Sequence, residues 1–282
     1  MKLLTIDAGY FKADGGSFFG VVPKVLWSKL MEADENNMVP NAFRLLLIEH
    51  KDHKILVDTG LGDKQDEKFF RNYGVYGERN LEKVLGRYGY SLGDITDVIL
   101  THLHADHSGG AVSRSGDGIL YPTFPNATYW VSRDQWEHAL NPNFREKAAF
   151  LPENFLPLQE AGVLRLVEKP GEILPDIFVE FHYGHTRGLM EVRMFHKGVW
   201  FVYPSDFIPT AYHVYEPYVM SYDICAEKTL QEKETFFEWA VHTPHCIIFN
   251  HDPYNEAGII FKDKKGHKVK ETFRLQEFLN RL

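Results

Sequence analysis

The sequence predicts a mixed α/β (α+β) fold, on three observations. Apolar, β-branched runs of strand length recur along the chain and end in polar turns, as at 97–101 and 200–203. Helical periodicity interrupts them: Leu81, Val84, Leu85 and Tyr88 stand at i, i+3, i+4 and i+7. Residues 227–241 are helical in composition, with Leu230, Phe236, Phe237 and Ala240 as the expected buried face.

Taken in order, residues 1–60 hold several β-rich runs ending in Leu56-Val57-Asp58, and residues 80–90 form an amphipathic helix. Asp97-Val98-Ile99-Leu100-Thr101 reads as a short buried strand and Ala127–Val131 as another. Ser132-Arg133-Asp134-Gln135 is a capping-box start for the next helix. A Pro-containing loop from Asn141 to Pro157 is placed to shape or cover a site, and residues 163–204 read largely as strands. No linker, repeat or low-complexity tract divides the chain, so a single domain over 1–282 is expected.

Composition narrows the function classes. With 282 residues and 44% hydrophobic content the chain can bury a large core. Its net charge of −8 argues against nucleic acid as a partner, and no apolar stretch approaches membrane-spanning length. Cys225 and Cys246 are too few for a disulfide framework, and both are expected to be buried thiols. The first residues turn polar too soon for a signal peptide, so a cytoplasmic location is expected.

The most informative stretch is Thr101-His102-Leu103-His104-Ala105-Asp106-His107-Ser108-Gly109-Gly110, which packs three imidazoles and one carboxylate into 102–107. These are the ligands that zinc and related divalent ions take at catalytic sites. The cluster leaves the end of a strand, and Ser108-Gly109-Gly110 lets the backbone turn closely around whatever the histidines hold. Three further candidates also follow strand-like runs: His185 in Phe181-His182-Tyr183-Gly184-His185, Asp206 after Trp200–Ser205, and His251 after Cys246–Asn250. Singly, each of these histidines reads as an ordinary hydrogen-bonded residue. Together with the first cluster they read as metal ligands, because strand ends on one sheet edge can converge.

The order H-x-H-x-D-H, then His, Asp and His, resembles the metallo-β-lactamase superfamily of hydrolases from Asp58 to His251. The resemblance implies a four-layer αββα sandwich with two divalent metal ions. His102, His104 and His185 would hold one ion, Asp106, His107 and His251 the other, and Asp206 would bridge them. Asp58 would orient a ligand rather than bind metal. Zinc is the default ion, and iron, manganese or cobalt fit the same donors. No organic cofactor is implied.

Branches of the superfamily are separable by residue. The β-lactamases proper usually carry Cys at the bridging position, filled here by Asp206. The flavodiiron branch replaces the second histidine, here His104, with Glu. The tRNA-processing branch carries a basic face that is not evident here, and the glyoxalase II branch has a longer helical C-terminal part. The run Asp14-Gly15-Gly16-Ser17-Phe18-Phe19-Gly20-Val21-Val22-Pro23-Lys24-Val25-Leu26-Trp27 looks like the N-terminal segment of YtnP-like quorum-quenching N-acyl homoserine lactonases. Methyl-parathion-hydrolase-like enzymes share a similar segment. Asp206-Phe207-Ile208-Pro209-Thr210 with His213 resembles a stretch of the same lactonase group. Pro209 stands where many acyl-homoserine lactonases place Tyr, which leaves Tyr212 or His213 to supply the missing hydrogen bond.

The expected function is therefore hydrolysis of an N-acyl homoserine lactone, with water activated by the metal pair. Asp106 is the expected proton carrier, and Asp206, Tyr212 and His213 complete the catalytic set. Hydrolysis of an organophosphate triester or aryl ester is the alternative. A metal-binding sensor on an inactive scaffold is the alternative of another class. The aromatic residues Phe18, Phe19, Trp27, Tyr212, Tyr215, Tyr218 and Tyr222, with Met220, suit a pocket for a hydrophobic ester or lactone. The segment 19–27 suits equally a homodimer contact.

Overall fold

Strands His53–Val57, Asp97–Ile99 and Thr128–Ser132 pair in parallel, with Ile55 opposite Asp97 and Ile99 opposite Trp130. Residues 55–57 and 97–99 are buried throughout, as parallel strands covered on both faces require. The computed structural model describes residues 1–282, and the chain divides into two units, Met1–Gly9 with Phe43–Pro170 and Tyr10–Ala42 with Gly171–Leu282. The parallel strands belong to the first unit. Their sheet runs in the order Lys2–Asp14, Met38–His50, His53–Val57, Asp97–Ile99, Thr128–Ser132, Leu164–Val167.

The one buried carboxylate of this sheet is satisfied rather than stranded. Asp97 accepts from Thr96 Oγ1 at 2.7 Å and Trp130 Nε1 at 2.9 Å, and pairs with His53 Nδ1 at 2.7 Å. The expected cap at Ser132 is present: its side chain accepts from the Gln135 amide at the start of helix Arg133–Leu140. The helix expected over 80–90 is shorter and runs Leu81–Gly86 behind an Asn80 cap. Gly89, at φ +82°, turns the chain after it and leaves Tyr88 exposed rather than on the buried face.

The second unit carries a seven-stranded sheet in the order Gly266–Phe273, Ala257–Asp263, His245–Ile248, Val199–Tyr203, Leu189–His196, Ile177–His182, Gly171–Leu174. Val199–Tyr203 and His245–Ile248 are its parallel pair. Helix Ala226–Val241 shares a core with this sheet through Phe236, Phe237 and Ala240. Leu230, expected on its inner face, is exposed, and the buried stripe instead runs through Thr229 and Lys233. Lys233 takes an apolar position because its ammonium donates to the carbonyls of His213 at 2.8 Å and Tyr218 at 2.6 Å. Cys246 is buried as expected, but Cys225 is exposed, because it lies in the turn leading into this helix rather than on a strand.

The end of strand Ile177–His182 carries a buried ionic group. His182 Nε2 lies 3.0 Å from Glu191 Oε2, and Nδ1 lies 3.6 Å from Glu232 Oε2. Arg193 pairs with the other Glu191 oxygen and packs over the Trp239 ring. Lys228 Nζ stands 3.7 Å from Glu232. Burial alone would lower the His182 pKa, but the hydrogen bond to Glu191 and the nearby Glu232 carboxylate outweigh it and raise the value to about 9. Burial would likewise raise the Glu191 carboxyl, but the Arg193 charge and His182 hold it below the usual range. A raised histidine contributes stability that is full below its unfolded pKa of about 6.5 and is lost as pH climbs toward 9. Chemical denaturation across pH 6 to 9 is therefore expected to show stability falling by on the order of 1–3 kcal/mol, a slope that His182→Gln removes. A flat profile in the native protein would contradict the charged pair.

Candidate metal centre

In each unit the candidate ligands sit just beyond strand ends, the usual place for functional groups on parallel sheets. In the first unit, His102 lies three residues after Ile99, and His104 begins the short helix Ala105–Ser108. Asp106 occupies its first turn, where the helix N-terminus favours a carboxylate. The turn is held from inside. Ser108 Oγ donates to the His104 carbonyl at 3.0 Å, and Thr59 Oγ1 donates to the His107 carbonyl at 2.8 Å. A Cβ at Gly109 would stand 2.1 Å from the Leu61 carbonyl oxygen, and one at Gly110 2.3 Å from that of Thr59. Close approach of two backbones requires these glycines.

The rings pack tightly, with centroids 3.9 Å apart for His102 and His107 and 4.6 Å for His102 and His104. Asp58 holds this cluster in place. Its carboxylate accepts from the Thr101 amide at 2.8 Å and pairs with His107 Nδ1 at 2.8 Å. That bond puts the proton on Nδ1 and leaves the Nε2 lone pair of His107 for a metal. Asp58 has φ +58°, a conformation that Asp tolerates better than most residues.

In the second unit, His185 follows strand Ile177–His182, and its Nδ1 lies 2.9 Å from Asp223 Oδ1. The other Asp223 oxygen accepts from Thr229 Oγ1 at 2.8 Å. Gly184 presses against Thr229, where an added Cβ would come within 2.2 Å of Oγ1. Helix Ala226–Val241 also anchors this loop through Glu232, which accepts from the amides of Tyr183 at 2.9 Å and Gly184 at 3.2 Å. Asp206 lies in the 3-10 turn Ser205–Phe207 after strand Val199–Tyr203, and accepts from Asn250 Nδ2 at 2.7 Å. One Asp206 oxygen stands 3.0 Å from His251 Nε2 and the other 3.4 Å from His185 Nε2. His251 Nδ1 donates to the Ala42 carbonyl at 2.8 Å, so its Nε2 also keeps a lone pair.

Two groups of side chains could hold metal ions. The first unit gathers His102, His104, Asp106 and His107, and the second gathers His185, Asp206 and His251. The donor chemistry fits divalent cations: neutral imidazoles fixed by partners on their far nitrogens, with carboxylates among them. Without a cation, the imidazoles would oppose one another's protonation, the carboxylates would oppose one another's ionisation, and every charged form would lose hydration.

The remaining sequence candidates fall differently. His213 is buried, and burial, helped by the Lys233 charge, lowers its pKa to about 3, so it is neutral. Its Nε2 donates to the Phe18 carbonyl at 3.0 Å, and its Nδ1 accepts from Thr210 Oγ1 at 2.7 Å. Both ring nitrogens thus serve the fold. Tyr212 is half-buried beside Asp252 and Asn255, and desolvation raises its pKa. Phe18, Phe19 and Trp27 are core residues rather than open pocket walls, and Phe19 stacks on Trp27 and on His213. The N-terminal motif is accordingly a packing device. Asp14 caps Gly15–Phe19, a Cβ at Gly15 would meet the Trp27 ring at 2.3 Å, and Gly20 turns at φ +61°. Sequence reasoning missed Asp223 and Asn250. Neither carries a local signal, because each meets its partner across a long stretch of chain.

The chain is similar to several known proteins. The model of the metallo-beta-lactamase superfamily matches residues 45–113. A probable metal-dependent hydrolase from Staphylococcus aureus superposes with a TM-score of 0.87 at 30% identity, over 97% of this chain and 96% of that one. The chain belongs to the metallo-β-lactamase superfamily. AidC, a dizinc quorum-quenching lactonase in complex with its product, shares the fold at TM-score 0.80 and 22% identity, over 96% of this chain and 94% of that one. An N-acyl homoserine lactonase of Bacillus thuringiensis is 29% identical over 153 residues, 50% of this chain and 54% of the relative. The chain thus spans about half the length of the curated relatives it matches.

Asp223→Ala should weaken divalent-cation binding about 10- to 100-fold in a chelator competition while far-ultraviolet circular dichroism stays native. His213→Ala should do the reverse, lowering the melting temperature through a lost buried hydrogen-bond pair while leaving cation affinity unchanged. Unchanged cation affinity in the first variant, or lost affinity in the second, would reverse these assignments.

Proposed function

We propose that this protein is a dinuclear metallohydrolase that opens the ring of N-acyl homoserine lactones. The observation that carries the reading is the pair of ligand groups, with Asp206 presenting one oxygen toward His251 and the other toward His185. His102, His104 and His185 would hold one ion, Asp106, His107 and His251 the second, and Asp206 both. The lactonase assignment is supported by the relatives named N-acyl homoserine lactonase. Bound there, divalent cations supply Lewis acidity and lower the pKa of coordinated water toward neutrality.

The chain's own residues do the rest. Asn250 fixes the tilt of Asp206, and Asp58 and Asp223 fix His107 and His185, so the reacting groups need little reorganisation. Asp106 is the proton carrier. Its side chain keeps 19% exposure, against 2% for the neighbouring His107, so it reaches solvent from among buried neighbours. Water adds to the lactone carbonyl carbon, the ring C–O bond breaks, and the proton lost by water passes through Asp106 to the departing ring oxygen. The product is the ring-opened N-acyl homoserine. Tyr212, kept protonated by partial burial, supplies the hydrogen bond that Pro209 cannot.

Zinc is the proposed ion on ligand type. Cytoplasmic residence and a homodimer belong to the same reading. Both cysteines are unpaired, and Val21, Val25, Leu26 and Leu30 form an exposed apolar face. No helix is long and apolar enough to cross a membrane. The same chemistry could act on a phosphotriester, but no observation favours that substrate over a lactone.

Asp206→Asn and His104→Ala should each lose metal and reduce turnover at least about a thousandfold, measured by elemental analysis beside chromatography of a homoserine lactone series. Full activity without metal would sink the scheme. Intact lactone rings alongside rapid phosphotriester cleavage would reassign the substrate. Tyr212→Phe should lower kcat about tenfold or more with metal content unchanged.

A further inference from the structure

The loop 141–150 carries a carboxylate that the resemblance to known enzymes does not predict. Glu146 is buried, with its side chain 3% exposed. One oxygen, Oε2, pairs with His138 Nε2 at 2.7 Å and accepts from Asn143 Nδ2. Asn143 also caps the loop through its Oδ1, which accepts from the amides of Arg145 at 2.9 Å and Glu146 at 3.0 Å. The other oxygen, Oε1, faces the metal loop and stands 3.4 Å from His104 Nε2.

The backbone ties the same two segments together. His104 and Phe150 form an isolated antiparallel bridge, and the Ala105 amide donates to the Ala149 carbonyl at 2.9 Å. The Phe150 ring packs against His104, with centroids 4.8 Å apart, and against His138 at 5.7 Å. Side-chain and backbone contacts therefore fix the loop against His104 rather than leaving it as a loose cover.

We infer that Glu146 is a positioning residue for His104. Its carboxylate faces the Nε2 edge of the ring and favours the tautomer protonated there. The Nδ1 lone pair is then the one presented to a metal. His138, Asn143 and Phe150 fix Glu146 in turn, and its approach to His104 at 3.4 Å is longer than the hydrogen bonds of Asp58 to His107 and Asp223 to His185. Glu146 does not touch substrate in this scheme. The inference rests on the dinuclear reading above and adds to it the reason for the loop's position.

The test is zinc titration of the native protein, Glu146→Ala and Glu146→Gln against a chromophoric chelator. Metal-free melting curves and histidine ring ¹H–¹⁵N correlation spectra of the zinc-loaded proteins accompany it. The native protein should bind two zinc ions per chain with His104 protonated at Nε2. Glu146→Ala should weaken one of the two ions about 10- to 100-fold. Glu146→Gln, which keeps the volume and an acceptor oxygen, should fall between the two and serves if the alanine variant misfolds. Native-like affinity for both ions in both variants overturns the inference, as does a lowered metal-free melting temperature with affinity unchanged. A His104 ring protonated at Nδ1 in the native protein also overturns it. A native protein that takes up no zinc sinks the metal reading itself, and this inference with it.

Discussion

Clustered imidazoles and carboxylates held out of water can coexist only if each is fixed and electrically answered. Desolvation penalises every charged form, and like neighbours penalise it further. The structure meets this constraint with polar partners on the far side of the ligands. Asp58 takes His107, Asp223 takes His185, the Ala42 carbonyl takes His251, and Asn250 takes Asp206. Each partner sets which nitrogen or oxygen is presented, and much of the surrounding chain serves to place these partners.

That service explains features which otherwise look unrelated. Helix Ala226–Val241 buries Thr229 and Lys233 on the stripe where aliphatic side chains would normally lie. Thr229 braces Asp223, and Lys233 ties down the carbonyls of His213 and Tyr218. The glycines after the first histidine cluster, and the one before His185, are places where any Cβ would fall below ordinary contact distance of a facing backbone or side chain. His213 follows the same logic. It is neutral, with both nitrogens committed to Thr210 and Phe18, and so organises the segment around Asp14–Trp27 instead of reacting.

A motif shared with a family need not be a motif of its chemistry. The Asp14–Trp27 run resembles a lactonase signature, yet its aromatic residues are core and its Asp and Gly residues make a cap and a close packing contact. The resemblance still carries information, because a packing motif of this kind is inherited with the fold it stabilises. It cannot choose the substrate, which depends on the few side chains lining the approach to the metals.

The sequence by itself determined the mixed α/β class and the strands at 97–99, 128–132 and 199–203, and it nominated seven candidate ligands, because periodicity and local clusters of donor residues are written in short windows. It misplaced Leu230, Tyr88 and Cys225, since which face of a short element meets the core depends on neighbours distant along the chain. Asp223, Asn250 and Glu146 were invisible for the same reason. Each acts on a ligand 38 to 44 residues away, so only the tertiary structure brings carboxylate or amide and imidazole or carboxylate into contact. Local residue order set which side chains could bind a metal; long-range packing decided which partner each of them meets.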